Sequence, residues 1–193
     1  MKKLLASLVL VCAVVNLGCE PQNTATQDQP RISGPSKPDE TTKFPEIMVG
    51  VWEAETSVKG SKWGIKFEAD GSIPKIIHSL AGPIDVAEGG VMLEGPEADT
   101  FLLLLLEDCQ AKYEPETDTL KVNIFTEHYL MRLPNGELQG HIKDYFSGPV
   151  SKDGKTWKVK WRNHMWLDGS EPPPIDIIDA NPVELLFTKL DMK

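Results

Sequence analysis

Four histidines, His78, His128, His141 and His164, are the side chains of this sequence best suited to proton transfer or metal ligation. None has a partner histidine at alternate or helical spacing, and neither a His-Glu-x-x-His motif nor a paired-cysteine motif occurs. One grouping depends on strand pairing instead. A hairpin through Pro134-Asn135-Gly136, with residue 130 opposite 141, makes His128 and His141 diagonal neighbours. Asp144 is close in sequence, so these three form the metal arrangement to weigh against ordinary surface histidines. A hydrolytic carboxylate pair needs two acids about 5–9.5 Å apart in a cleft. Glu107-Asp108 is the densest couple beside an apolar run, but adjacent strand residues face opposite sides. Serine-nucleophile elbows, phosphate-binding loops and dinucleotide loops are absent. The expectation is therefore no catalytic residues, no resident metal and no cofactor, with a hydrolase using an unrecognised carboxylate or histidine site as a remaining alternative.

Two other residue types bear on chemistry. Cys109 lies in the alternating run Cys109-Gln110-Ala111-Lys112-Tyr113, which suits a packing residue better than a nucleophile. Five tryptophans exceed what a simple core of this size requires. Trp52, Trp63, Trp157 and Trp161 fall in strand-like runs, and Trp166 precedes the turn-like Asp168-Gly169-Ser170. Buried indoles seek a partner for N–H, so these rings fit core packing, the lining of a cavity, or a protein-contact patch.

The elements that would position these groups are strands. Trp157, Val159 and Trp161 alternate with Lys158 and Lys160; Leu120, Val122 and Ile124 alternate with Lys121 and Asn123; Trp63, Ile65 and Phe67 alternate with Gly64 and Lys66. Period-two patterning of this kind describes a sheet with one dry and one wet face. Turn signals at Asp70-Gly71, Glu114–Asp118, Pro134–Gly136 and Ser151–Gly154 separate short runs. The runs predict strands at 47–55, 62–68, 72–79, 90–93, 101–107, 109–113, 119–124, 128–132, 137–146, 156–161, 164–166 and 183–190. Pro74–Ala81 is the best alternative for one short helix. Leu102 to Leu106 is apolar in both phases, as expected if that strand is covered on both sides or turns one phase to a partner or hollow. Gly50, Gly64 and Gly140 interrupt alternating runs where barrel corners would bend. The fold class is all-β: an antiparallel barrel or closed sandwich of about 8–10 strands.

The chain has 193 residues and a formal charge of −9. That balance argues against nucleic-acid partners and against polybasic attachment to anionic lipid. Its start is more specific. Lys2 and Lys3 precede an apolar run, Leu4 to Val15, that is shorter than the roughly 20 residues a membrane span needs. Asn16-Leu17-Gly18-Cys19 then resembles the lipobox of bacterial lipoproteins. The resemblance implies a signal peptide over 1–18 and lipid attachment to Cys19. It also implies a cell-envelope location on the extracytoplasmic side, at the outer membrane if the cell is Gram-negative, or secretion if no lipid is added. Residues 19–43, rich in Pro, Thr and Gln with little to bury, read as a disordered tether. The folded domain is placed at 44–193. With Cys12 in the signal and Cys19 lipidated, Cys109 would have no disulfide partner.

Gly50-Val51-Trp52 near the start of the first strand resembles the Gly-x-Trp signature of lipocalins. That resemblance implies a barrel closed at one end by Trp52, packed against a late arginine for which Arg162 is the nearest candidate. It also implies a small apolar or amphipathic ligand held in the barrel, with Trp63, Phe67, Leu103 and Trp161 as candidate lining residues. The alternative is a solid-core structural or protein-interaction module that docks to another envelope protein. A lined cavity of about 300 Å3 or more would support the first, and a filled interior the second.

Overall fold

The structure is a computed structural model describing residues 44–174 and 181–191. The expected signal peptide over 1–18, Cys19, the expected tether over 19–43 and residues 175–180 lie outside the described residues. Ten strands follow in chain order: β1 (Gly50–Glu55), β2 (Lys62–Phe67), β3 (Lys75–His78), β4 (Gly82–Asp85), β5 (Gly90–Glu94), β6 (Phe101–Glu114), β7 (Thr119–Leu133), β8 (Gly136–Pro149), β9 (Thr156–Leu167) and β10 (Val183–Lys189). They form one antiparallel sheet in the order β4-β3-β2-β1-β10-β9-β8-β7-β6-β5. Its two end strands, β4 and β5, are joined by a single 3-10 turn at Val86–Glu88. The result is a nearly closed, lipocalin-like all-β barrel at the upper end of the expected strand count.

Three predicted breaks are not strand ends. The pairs 101–107/109–113, 119–124/128–132 and 156–161/164–166 are each one continuous strand. Glu107 and the Glu127-His128 pair sit at register shifts, where β6 and β7 carry extra residues relative to their partners. Such bulges invert the burial phase without ending the strand. Accordingly Ile124 and Thr126 face inward before the shift, and Tyr129 and Met131 after it. Pro74–Ala81 forms no helix; its centre is β3, with Ile76 and His78 buried. β4 has no strand signal in the sequence, since Gly82-Pro83-Ile84-Asp85 looks like turn material.

The three alternating runs point as expected: Trp63, Ile65, Phe67, Leu120, Val122, Ile124, Trp157 and Val159 are buried, and the lysines between them are not. A series of touching rings fills the interior. Phe44 meets Phe67 (5.6 Å between centroids), Phe67 meets Trp157 (6.3 Å), and Trp157 meets Phe187 (4.9 Å). Phe187 meets Phe146 (6.0 Å), which meets Trp63 (5.0 Å). At the Phe44 end a 3-10 turn, Glu46–Met48, precedes β1, and Trp52 Nε1 donates to the Met48 carbonyl at 2.8 Å.

The cation beside Trp52 is Lys189, not Arg162. Lys189 Nζ lies 5.8 Å from the Trp52 ring and donates to the Ile47 carbonyl at 2.9 Å. Gly50, at φ +127°, gives the lysine stem room, because a Cβ there would sit 3.1 Å from Lys189 Cε. Arg162 belongs to the outward phase of β9, opposite Tyr145 of β8. Gly140 serves close approach more than curvature: its Cβ would fall 2.1 Å from the Trp166 carbonyl oxygen on β9.

Candidate functional site

Where β3 faces β8 and β9 across the barrel, the ring series gives way to polar groups. His78 is buried on β3, paired across from β2 where Trp63 stands, and the two rings meet edge-on at 4.6 Å. Asp144 is the inward residue of β8 between Ile142 and Phe146. Its Oδ1 accepts from Trp161 Nε1 and Asn163 Nδ2, both on β9 and both at 2.8 Å. His78 Nδ1 accepts the Leu80 N–H at 3.2 Å, so the neutral ring carries its proton on Nε2. That nitrogen lies 3.8 Å from Asp144 Oδ2, beyond direct hydrogen-bond reach. His78 Nε2, Asp144 Oδ2 and Trp63 Nε1 are buried and have no hydrogen-bond partner among the described residues. Two are donors and one is an acceptor, the complement of a water molecule or one small polar group. As acid–base machinery the pair is poorly placed, since His78 is 2% and Asp144 1% exposed, whereas a catalytic acid or base must reach its substrate's proton.

The four residues expected to line a ligand space divide three ways. Trp63 and Trp161 meet in this polar cluster, 5.8 Å apart. Phe67 is fully buried in the ring series nearer the Phe44 end. Leu103 lies on the opposite phase of β6 from fully buried Leu104, so it faces outward. Comparison with known proteins adds nothing to this geometry. No family model, curated protein or solved structure matches the chain.

The histidine–carboxylate grouping takes a different form from the expected one. The hairpin pairs Leu133 with Gly136 and Leu130 with Gln139, two positions away from the expected 130–141 pairing. His128 and His141 both face Asp168, with His128 Nδ1 4.0 Å and His141 Nε2 3.2 Å from its carboxylate oxygens. Asp144 is turned inward, away from them. Among the described residues, no group of three or more His, Cys, Asp or Glu side chains could hold a metal ion.

The outward phase of β7, β8 and β9 carries what the sequence reading missed. Register aligns Lys121, Ser147 and Lys160 in one row, and Asn123, Tyr145 and Arg162 in the next. Phe125, Lys143 and His164 form a third, in which His164 is buried with the Pro173 backbone against it while Phe125 and Lys143 remain half-exposed. Lys143 Nζ lies 4.5 Å from the Phe125 ring and 5.9 Å from that of Trp166, while Trp166 stacks against His141. Burial holds the His164 imidazole below its ordinary pKa of 6.5; the Pro173 carbonyl opposes this and Lys143 adds to it. An open depression of about 240 Å3 runs along this face between Asp108 and Tyr145. The signal was present as the alternation Lys158-Val159-Lys160-Trp161-Arg162, but only register shows that neighbouring strands add cations to the same side.

Proposed function

We propose that this chain is a lipid-anchored, solid-core β-barrel of the cell envelope that acts through its exterior as a non-catalytic interaction module. One observation carries the reading: touching rings from Phe44 to Trp63 occupy the interior where a lipocalin-type ligand would sit. Trp52, Trp63, Trp157, Phe67, Phe146 and Phe187 are all under 2% exposed. Among the described residues, the unpartnered polar atoms of the polar cluster are on Trp63, His78 and Asp144, and the 3.8 Å between His78 Nε2 and Asp144 Oδ2 leaves no room there for an apolar ligand. Anchoring follows from the lipobox resemblance at Cys19, with residues 20–43 as the tether.

Titration with an environment-sensitive apolar dye tests the filled interior. The full chain is expected to show no saturable uptake, while Trp63→Ala, which opens room beside His78 and Phe146, gains it. Saturable one-to-one uptake by the unaltered chain, displaced by fatty acid, would restore the ligand-carrier reading. Mass analysis of the mature N-terminus checks the anchor; an unmodified chain starting elsewhere would remove it.

A further inference from the structure

We propose that the outward face of β7, β8 and β9 lies against the anionic headgroups of the membrane to which the chain is tethered. This deepens the exterior-acting, lipid-anchored reading above and rests on it. In a protein of net charge −9, the outward positions of residues 119–125 on β7, 141–147 on β8 and 156–166 on β9 hold Lys121, Lys143, Lys158, Lys160 and Arg162 and no acid. The single carboxylate within those three segments, Asp144, is turned into the barrel and buried. Acids flank the face instead: Asp108 and Glu114 on β6, the latter paired with Lys121 at 2.7 Å, Glu184 on β10 opposite Lys160, and Asp168 beside His141.

Polarity also changes along the strands. Beyond the lysine and tyrosine rows come Phe125, Trp166 and His141, and beyond those the outward Leu103, Leu105 and Leu130. Leu105 is 40% exposed, and Met92 on β5, paired with Leu103, is 64% exposed. Cations for phosphate, aromatic rings for the headgroup level and aliphatic side chains beside them are what a bilayer interface takes up. A soluble polyanion would use the cations and leave the aliphatic end in water. The segment before Phe44 suits the same occupant. The 24 residues from 20 to 43 can reach at most about 80 Å from Cys19. The barrel is thereby held near the surface at high effective concentration, where weak contacts suffice.

The test uses the full lipoprotein in vesicles of phosphatidylcholine, with or without phosphatidylglycerol, and lysine acetylation read by peptide mass. Lys121, Lys158 and Lys160 are expected to be protected by phosphatidylglycerol and released by high salt. Lys62, Lys66 and Lys75, on the β2–β3 side, should react alike in both vesicles. Each cation near an anionic surface contributes about fivefold in binding, so reversing Lys158 and Lys160 to Glu should weaken the phosphatidylglycerol effect by at least about 25-fold. Identical labelling in both vesicles would overturn the proposal. So would salt-insensitive protection in both, the signature of a protein contact, or protection by polyphosphate but not by phosphatidylglycerol. Flotation with pure phosphatidylcholine at high salt reports the anchor separately. If the chain does not float there, the anchor reading fails; if it floats without lysine protection, the face alone fails.

Discussion

Replacing Asp144 with Ala is the sharpest probe of the barrel's polar centre. The carboxylate accepts two hydrogen bonds at 2.8 Å on one oxygen and lies 3.8 Å from His78 on the other. Asn163 is exposed and can turn to water, whereas the Trp161 indole N–H is part-buried and would lose its acceptor. An orphaned buried donor costs about 1–3 kcal/mol, and a hydrogen bond to a charged group contributes about 1.5–3 kcal/mol. Asp144→Ala should therefore destabilise the fold by about 2–4 kcal/mol. With a urea m-value of about 2 kcal/mol/M, the midpoint should fall by roughly 1–2 M. Asp144→Asn keeps the oxygen that Trp161 and Asn163 use and should cost less. In a double-mutant cycle, Asp144→Ala and Trp161→Phe should couple by at least about 1 kcal/mol. A midpoint for Asp144→Ala indistinguishable from the unaltered chain, or coupling near zero, would show that Asp144 does not hold β9 to the interior.

Other consequences are open to measurement. His164 is held below 6.5 by burial, so the unfolded chain takes up its proton first as pH falls. The stability it contributes is whole above pH 6.5 and declines as pH drops through 6.5 toward the folded value. Denaturation at successive pH values should show a shallower acid loss for His164→Phe, and equal slopes would refute this. Burial, reinforced by Asp108, pushes the Cys109 thiol from 9.0 up to about 12, leaving roughly 1,000-fold less thiolate than an unperturbed cysteine at neutral pH. A thiol reagent should label it promptly only in denaturant, and fast native labelling would contradict the burial. Gly140→Ala would press a methyl into the Trp166 carbonyl, so β8 and β9 should separate locally, with a cost above about 2 kcal/mol and a lowered melting temperature. Neutral behaviour would mean that the strands can shift apart.

Alternation is a local property, and it was legible: Trp157, Val159 and Trp161 announce their shared side before any neighbour is known. Bulges were not, because Glu107 and Glu127-His128 look like strand ends unless the partner's register is available. The same limit hid the candidate surface. Net charge sums over all faces, whereas the one-signed face arises because Lys121 aligns with Lys160 through Ser147. His78 was visible only as an isolated histidine. Its relation to Asp144 depends on β3 and β8 meeting across the interior, which no sequence spacing encodes. Lys189 replaced the expected arginine for a similar reason, since β10 rather than β9 borders β1.

The pairing of β1 with β10 sets the timing of folding. The Thr188 hydroxyl reaches the Glu53 carbonyl across a separation of 135 residues. A chain delivered N-terminus first therefore cannot seal Trp52 and Trp157 from water until its final strand has emerged. Up to that moment it must be shielded as an open sheet, so loss of the last dozen residues would leave a long, aggregation-prone edge rather than a slightly smaller barrel.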